Sequence, residues 1–385
     1  MTKIYKSFKV RLYPTKTQEV LFYRHIDACR FLWNYLLDLQ EDKFSKGEKK
    51  LSGFGMIKLI PSIRSNPDYT WLNEVSTHSL QVVCRDLDKA YTGYYKHGAN
   101  LPGHKSKKTA KQIFPIRSER MFFKDDTFVN VEKIGEVKYK TDFSFRYGKN
   151  VEKYYKARIQ HTNKKWILTF TMECESPQHE LTDISMGIDL GIKELAVVAF
   201  GDKKIVYHNI NKSHEMRELE AKRKHIERSL SRKYKRNKDG KKCIKTKNML
   251  REEEKLRQIY AKQANIRNNY INQITHELVE MRPKRVVMED LNVRGMCKNH
   301  HLAKSIKEQC FYEFIRQMRY KCEWNGIEFV QADTFYPSSK TCSCCGSINK
   351  NLSLKDRTYI CPECGAVIDR DYNAAINLSR YVVEE

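Results

Sequence analysis

The order of apolar and charged segments in the second half of the chain limits the possible folds more than any other sequence feature. From residue 185 onward, three short β-branched runs follow one another, with the sequences MGIDL, ELAVVAF and KIVYHN. A long charged helical region over 213–281 comes next, followed by a strand, an amphipathic helix over 302–324, a further strand and a last helix. This alternation predicts an α/β domain built around one sheet.

Acidic residues stand in three of these elements. Asp189 lies in the first strand, Glu289 in the fourth strand, RVVMEDL, and Asp371 at the start of the last helix, DYNAAINLSRYV. Three strands, helix, strand, helix, strand and helix is the element order of the ribonuclease H fold, so folding could bring the three carboxylates to one edge of a sheet. Phosphodiester hydrolysis needs an activated water and shielding of negative charge, which two divalent cations about 3.5–4 Å apart supply. The three carboxylates therefore predict a nuclease that uses Mg²⁺ or Mn²⁺, which oxygen ligands bind.

The last helix offers a second acidic candidate, Asp369, two residues before Asp371. We favour Asp371 because it directly opens the helical stretch, where the helix dipole tolerates a carboxylate. The small residues Ala374 and Ala375 would let this helix approach the sheet closely.

Two Cys-x₂-Cys pairs near the C-terminus have the spacing of a structural zinc site. Fifteen residues separate the pairs, and each pair ends in Cys-Gly, where glycine lets the backbone turn so that both sulfurs face one metal. Four thiolates leave no open position on the zinc ion, so we expect no catalysis there. Cys344 is left over, since a pairing through it would break the spacing. The predicted zinc ligands are Cys342, Cys345, Cys361 and Cys364. This zinc ribbon interrupts the chain before the last helix, which would place it at the edge of the active site.

A large surplus of basic residues indicates a polyanionic partner. The chain of 385 residues has 72 Lys and Arg against 47 Asp and Glu, a net charge of +25 at pH 7. Basic side chains displace condensed counterions from phosphates, so nucleic acid is favoured over an anionic membrane surface. The sequence has no run of about 18 apolar residues, and its start lacks the apolar core of a signal peptide. We therefore expect an intracellular protein with no membrane partner.

The first half of the chain reads as a β-module interrupted by helices. Residues 3–13 alternate as a strand does and stop at Pro14, and helical spacing follows, with Thr15 or Thr17 as the candidate cap. Strand-like sequence resumes after residue 101. The predicted domains are a β-barrel-like module of residues 1–14 and 101–182, a helical lobe of residues 15–100, a nuclease domain of residues 183–336 and 367–385, and the zinc ribbon of residues 337–366.

Two basic segments are candidates for contact with a nucleic-acid backbone. One is the loop LPGHKSKK, and the other is the charged helical region, which Gly240 interrupts so that one hairpin of it could lie against a duplex. A solvated loop and a solvated helix face are the alternative interpretations, and both stay open. Contacts of this kind position a protein without reading sequence. The candidate residues are Lys105, Lys107, Lys108, Arg232, Lys233, Lys235 and Arg236.

Taken together, the motifs resemble a known family. KVRLYPTKTQ, GIDLGIKELAV, MEDLNVRGM, the ribbon SSKTCSCCG…YICPECG and DRDYNAAINL are similar in order and spacing to the TnpB (OrfB) proteins of bacterial insertion sequences, relatives of the type V CRISPR effectors. The resemblance implies an RNA-guided DNA endonuclease that carries a transposon-derived guide RNA and recognises a short motif beside its double-stranded DNA target. Cleavage would use a single RuvC-like site with Mg²⁺.

The same resemblance assigns roles to the parts of the chain. The catalytic carboxylates would be Asp189, Glu289 and Asp371, and the four cysteines would bind one zinc ion. The β-module would be wedge-like, the helical lobe would serve recognition, and the ribbon would bind the target nucleic acid. We expect a cytoplasmic protein of a bacterium or archaeon that acts at the nucleoid, and we favour a monomer.

Three other functions remain open at this point. A nuclease-inactive, RNA-guided DNA-binding regulator could share the fold, although the three acidic positions argue against it. An RNA-independent transposase could act directly on transposon ends, and a dedicated CRISPR effector could have the same motifs.

Overall fold

The computed structural model describes residues 3–140, 153–176, 179–240, 242–334, 336–353 and 356–382. The chain divides into two compact units, Met1–Glu175 and Ser176–Glu385. The four functional domains predicted from the sequence, with their boundaries, stay a prediction.

The first unit combines an antiparallel sheet with helices. In the described residues the sheet has seven strands in the order β2-β6-β7-β1-β5-β4-β3. The strands are β1 (Lys3–Tyr13), β2 (Ile113–Pro115), β3 (Phe122–Phe123), β4 (Phe128–Val131), β5 (Gly135–Lys140), β6 (Tyr154–Thr162) and β7 (Lys165–Glu175). The α-helices are α1 (Lys16–Ser45), α2 (Gly53–Ser65) and α3 (Thr77–His97).

The first predicted strand is confirmed and lies in the middle of this sheet. β1 pairs with β7 from Lys3 opposite Glu175 to Leu12 opposite Trp166, and it also pairs with β5. Thr15 rather than Thr17 caps α1: its hydroxyl accepts from the Gln18 amide, and the Gln18 side chain accepts from the Thr15 amide. The capping box therefore ends the strand and starts the helix within three residues.

Helices and sheet of the first unit share one hydrophobic core. Leu12 of β1, Phe22 of α1, Leu80 of α3 and Phe170 of β7 belong to the same buried cluster. The helical segment therefore packs on the sheet instead of forming a core of its own. The barrel-like form of the β-module stays a prediction.

The second unit is built around a mixed sheet with the strand order β10-β9-β8-β13-β14. Its strands are β8 (Ser185–Leu190), β9 (Glu194–Phe200), β10 (Lys203–His208), β13 (Arg285–Glu289) and β14 (Glu328–Ala332). Small hairpins add β11 (Lys238–Asp239), β12 (Lys242–Cys243), β15 (Thr358–Ile360) and β16 (Val367–Asp369). The α-helices are α4 (His214–Arg236), α5 (Lys247–Glu280), α6 (Val293–Met296), α7 (His300–Gln309), α8 (Phe311–Trp324) and α9 (Arg370–Ser379).

The predicted order of strands and helices in this unit is confirmed, with corrections to two helices. The charged region over 213–281 forms two helices, α4 and α5, joined by the β11–β12 hairpin around Gly240. The predicted helix over 302–324 is wrong as one element, because it breaks at Cys310, whose left-handed backbone (φ 55°) separates α7 from α8. Apolar residues recur on both sides of this break, so periodicity alone did not reveal it.

Candidate functional site

The pairing of β8 with β13 brings Asp189 and Glu289 to the same level of the sheet. The two strands run parallel, with Ile188 opposite Met288, so the next residue of each strand is one of the two acids. Side chains alternate between the faces of a sheet, and neighbouring residues in register share a face. Because Ile188 and Met288 point into the main core of the unit, Asp189 and Glu289 lie on the opposite face.

Helix α9 covers that opposite face and adds Asp371. Gly187 lies under the helix, where a Cβ would overlap the carbonyl oxygen of Ala375 and the amide nitrogen of Ser379. Ala375 is fully buried, which confirms the predicted close approach of small residues to the sheet. Asp371 lies one helical turn before Ala375 on the same side of the helix.

The structure separates Asp371 from its competitor Asp369. Asp369 is the N-cap of α9, where its carboxylate accepts from the Tyr372 amide at 2.9 Å. Its carboxylate also lies 3.5 Å from the Lys204 ammonium. Asp371 falls in the first turn, where helical geometry turns it toward the sheet. Because the Asp369 carboxylate already serves as the helix N-cap, Asp371 stays the predicted third carboxylate.

The three carboxylates interact electrostatically. Burial raises the pKa of Asp189 well above its usual value. The charges of Glu289 and Asp371, and to a smaller extent that of Asp369, raise this pKa further, whereas Arg370 lowers it. Like charges held near one another disfavour ionisation, and a bound cation would relieve this. Their oxygens are spread more widely than the cysteine sulfurs. Among the described residues, the four cysteines form the only group of three or more potential ligand residues whose ligand atoms all lie within 4.8 Å of one another. Mg²⁺ keeps several waters, so it does not require closely packed protein ligands.

The four predicted zinc ligands do come together. The Cys342 and Cys364 sulfurs are 3.7 Å apart, and those of Cys345 and Cys361 are 3.5 Å apart. Zinc–sulfur bonds of about 2.3 Å in a tetrahedron place the sulfurs about 3.8 Å from each other. The residues present therefore fit a zinc ion with four thiolate ligands.

Backbone turns at two glycines orient the cysteine thiols of the ribbon for metal binding. Gly346 and Gly365 both have positive φ, 78° and 70°, as the Cys-Gly pattern predicts. The Cys364 amide donates to the Cys361 sulfur at 3.5 Å, and backbone N–H groups, chiefly that of Cys364, lower the pKa of Cys361 to about 6. Cys344 is exposed, and its amide donates to the Cys342 sulfur at 3.4 Å. Its thiol is not part of the cluster.

Sequence reasoning missed the polar residues that join the ribbon to α9. Asn373 and Asn377 are buried, and both donate to the Thr341 carbonyl oxygen at 2.7 Å. Ser338, also missed, donates a hydrogen bond to Glu289. The available signal was the i, i+4 spacing of two asparagines beside the buried alanines of the same helix.

The predicted basic loop is fixed to the first unit. The Lys105 ammonium lies 3.1 Å from the Trp33 ring centroid, and burial lowers the pKa of Lys105 to about 8. Lys107 lies 3.7 Å from the Asp27 carboxylate, and Lys108 is exposed. Of the three lysines, Lys105 is therefore the one held most firmly by the protein.

The basic residues of α4 differ in the same way. Lys233 is ion-paired with Glu252 at 2.6 Å, across the hairpin of α4 and α5. Arg232, Lys235 and Arg236 are exposed near the tip of that hairpin. Nucleic-acid contact stays a prediction for all seven basic residues.

Three family descriptions match the chain. "Helix-turn-helix domain" matches residues 1–49, "Probable transposase" of the OrfB type matches residues 169–300, and "Cas12f1-like, TNB domain" matches residues 311–378. The predicted resemblance to the TnpB (OrfB) family is confirmed by these matches. Over residues 3–45 the structure has one strand and one long helix, β1 and α1, in place of two helices joined by a turn.

Named relatives match nearly the whole length of this chain. A "Putative RNA-guided DNA endonuclease" of Streptomyces pristinaespiralis is 26% identical over 382 residues, covering 98% of the chain and 89% of the relative. The "Putative RNA-guided DNA endonuclease InsQ" of Escherichia coli is 25% identical, covering 97% of the chain and 91% of the relative.

A solved structure shares the fold. The protein in a Cas12f1–sgRNA–target DNA complex aligns with a TM-score of 0.61 and 16% identity, over 98% of this chain and 99% of that one. The chain therefore has a Cas12f-like multidomain α/β fold. None of its described helices is long and apolar enough to cross a lipid bilayer.

Proposed function

We propose that this protein is a transposon-encoded, RNA-guided DNA endonuclease. A guide RNA would select the target by base pairing, and a short motif beside the target would be read in the duplex. One RuvC-like site in the second unit would cut the DNA, leaving a 3′-hydroxyl and a 5′-phosphate. The names of the relatives and the net charge of +25 support a nucleic-acid substrate.

The observation that carries this proposal is the common location of three acidic residues that are far apart in sequence. Strand register places Asp189 beside Glu289, and α9 adds Asp371 on the same face. A sheet gains no stability from like charges gathered at one place, so a cation-dependent function explains them better than a structural one.

The donor set suits Mg²⁺ or Mn²⁺. Divalent ions bound there would activate a water molecule and neutralise charge on the scissile phosphate, as in two-metal nucleases. The three carboxylates would hold these ions, and ionised Asp189 would be favoured once a cation is nearby. Arg370, close enough to lower the pKa of Asp189, adds a positive charge beside the carboxylates.

The remaining parts of the chain would bind the nucleic acids. The zinc ribbon, inserted directly before α9, would contact the DNA strand that enters the site. The exposed residues Arg232, Lys235 and Arg236 would approach a phosphate backbone, as would Lys107 and Lys108. Lys105 would chiefly fix its loop on Trp33.

Guided plasmid cleavage tests the proposal. The protein is co-expressed with its native transposon RNA and given a plasmid that carries the target beside a randomised flank, with Asp189→Ala as the comparison. Cutting that requires both the RNA and Asp189 is the expected result, and the cut flanks reveal the adjacent motif.

Other outcomes of this experiment would replace the proposal. RNA-dependent binding without cutting by the wild type would identify a nuclease-inactive regulator. Activity on transposon ends without any co-purified RNA would identify an RNA-independent transposase.

A further inference from the structure

Ser338 contacts the proposed active site from outside the carboxylate set. This serine lies between β14 and the first cysteine pair and is only 1% exposed. Its hydroxyl donates a hydrogen bond to the Glu289 carboxylate oxygen Oε1. A buried hydroxyl that donates to a carboxylate holds one oxygen and leaves the second oxygen of that group available to a cation.

Glu289 needs such a partner more than Asp189 does. A glutamate has three side-chain torsions, and the last of them is broad, so its carboxylate is poorly fixed by the backbone alone. The backbone of Glu289, the last residue of β13, is paired with Ala332 of β14, but this pairing does not fix the carboxylate at the end of the side chain. A hydrogen bond from a fixed donor is the most direct way to orient this side chain.

Ser338 is itself fixed by helix α9. Its carbonyl oxygen accepts from the Asn377 side-chain amide at 2.7 Å. The same amide donates to the Thr341 carbonyl, and the Ser343 amide donates to the Asn373 side chain at 2.9 Å. We call residues 337–343 the strap: they are the first residues of the predicted ribbon, include Cys342, and run along helix α9.

The strap connects two of the three carboxylates through one hydrogen-bonded frame. It contacts Glu289 through Ser338, and it contacts the helix of Asp371 through Asn373 and Asn377. Both asparagines are buried, which makes these contacts costly to break. The distance between Glu289 and Asp371 therefore depends on the strap as well as on the sheet.

We propose that Ser338 is a positioning residue that orients Glu289 for divalent-cation binding at the carboxylate site. This inference rests on the proposed function, because it assigns the carboxylates to a metal. The hydroxyl would hold Oε1 so that Oε2 faces the cation. Removal of such an outer partner typically lowers metal affinity or activity about 10- to 100-fold.

The test compares three variants of the full-length, RNA-bound protein. Ser338→Ala removes the hydroxyl, Ser338→Thr keeps it, and Ser343→Ala is the matched control, because Ser343 contacts α9 through its amide and carbonyl. Mn²⁺ binding is measured from the free-ion signal in electron paramagnetic resonance, without DNA. Cleavage is measured across a Mg²⁺ titration, and zinc content and Tm report on folding.

We expect Ser338→Ala to weaken Mn²⁺ binding about 10- to 100-fold and to raise the Mg²⁺ midpoint of cleavage similarly. Ser338→Thr and Ser343→Ala should stay near the wild type, and all three should retain zinc. Unchanged Mn²⁺ binding in Ser338→Ala would overturn the inference. Equal weakening in Ser338→Ala and Ser343→Ala would also overturn it, since that result indicates a general loss of strap packing.

The inference can still be tested if Ser338→Ala fails to fold. If Ser338→Ala loses zinc, Ser338→Cys replaces it, because a thiol has similar size but donates weakly; Mn²⁺ affinity at the wild-type value would then refute the positioning role. The proposed function fails separately, if the wild type binds Mn²⁺ and RNA but does not cut guided DNA.

Discussion

The two proposed metal sites of the second unit are built in opposite ways. The proposed zinc site comes from two short turns, and its four sulfurs lie within 4.8 Å of one another. The proposed carboxylate site comes from two strands and a helix spread over 183 positions of sequence, from Asp189 to Asp371, and the charges of Glu289 and Asp371 disfavour ionisation of Asp189. Local turns thus bring the cysteines together, whereas long-range packing brings the carboxylates together.

The largest effect expected from this contrast concerns Asp371 and Asp369. Asp371→Asn should lower guided cleavage by at least about a thousandfold, because a lost metal ligand removes several kcal/mol of transition-state stabilisation. Asp369→Asn is the matched control: asparagine caps a helix as well as aspartate does, and the variant loses the exposed Lys204 pair and a minor charge interaction with Asp189. We expect cleavage within about fivefold of the wild type, equal to about 1 kcal/mol.

Rates from single-turnover cleavage decide between these two residues. If Asp369→Asn abolishes cutting and Asp371→Asn does not, the third carboxylate has been assigned to the wrong residue of the helix.

Loss of zinc should affect the carboxylates as well as the cysteines. Cys361→Ser should remove the bound zinc and unfold the ribbon, since zinc binding supplies about 10–16 kcal/mol in small zinc domains. Through the strap it should also lower cleavage, by about 10- to 100-fold. Metal analysis and limited proteolysis of the ribbon measure the first effect, and guided cleavage measures the second.

Cys344→Ser is the control for this prediction. Its thiol lies outside the cluster, so one zinc per chain and full cleavage are expected. A zinc-free Cys361→Ser protein that cuts as fast as the wild type would show that the ribbon and the carboxylates are independent.

Gly187→Ala should disturb the carboxylates and spare the zinc. The added methyl group overlaps the backbone of α9, so the helix must move, at a cost of about 1–3 kcal/mol. We expect a Tm lower by about 2–4 °C per kcal/mol, weaker Mn²⁺ binding, and unchanged zinc content. Gly103→Ala is the matched control, because open space surrounds that glycine. If Gly187→Ala loses zinc and Gly103→Ala keeps it, the zinc site does not depend on its local turns alone.

The same contrast explains what the sequence could predict. The Cys-x₂-Cys pairs predicted which four cysteines cluster, because their geometry lies in turns of four residues. Asp189 and Glu289 could be named from the ends of apolar strands, since those strands pair in parallel and in register. Ser338 could not be found in this way, because its contact with Glu289 spans 49 positions and depends on how α9 packs. The break at Cys310 was missed for a related reason, as apolar spacing continues on both sides.

The smallest expected effect is the pH dependence of the metal-free protein. The folded pKa of Asp189 lies above its unfolded value, so its contribution to stability is fully present below the unfolded pKa of about 4 and is lost as pH rises through the folded pKa. Asp189→Asn removes this pH-dependent loss of stability, because asparagine does not ionise. In chelator we therefore expect the variant to have a Tm about 2–4 °C above the wild type near neutral pH, which corresponds to about 1 kcal/mol. This difference in Tm should disappear toward about pH 4, and Mg²⁺ should reduce it at neutral pH by stabilising the wild type alone.

A zinc-ligand variant should not be more stable than the wild type, because the ribbon gains its stability from a metal that it already fits. If Asp189→Asn is less stable than the wild type in chelator at every pH, neither burial nor the neighbouring charges destabilise ionised Asp189 in the folded protein, and the contrast between the two groups is lost.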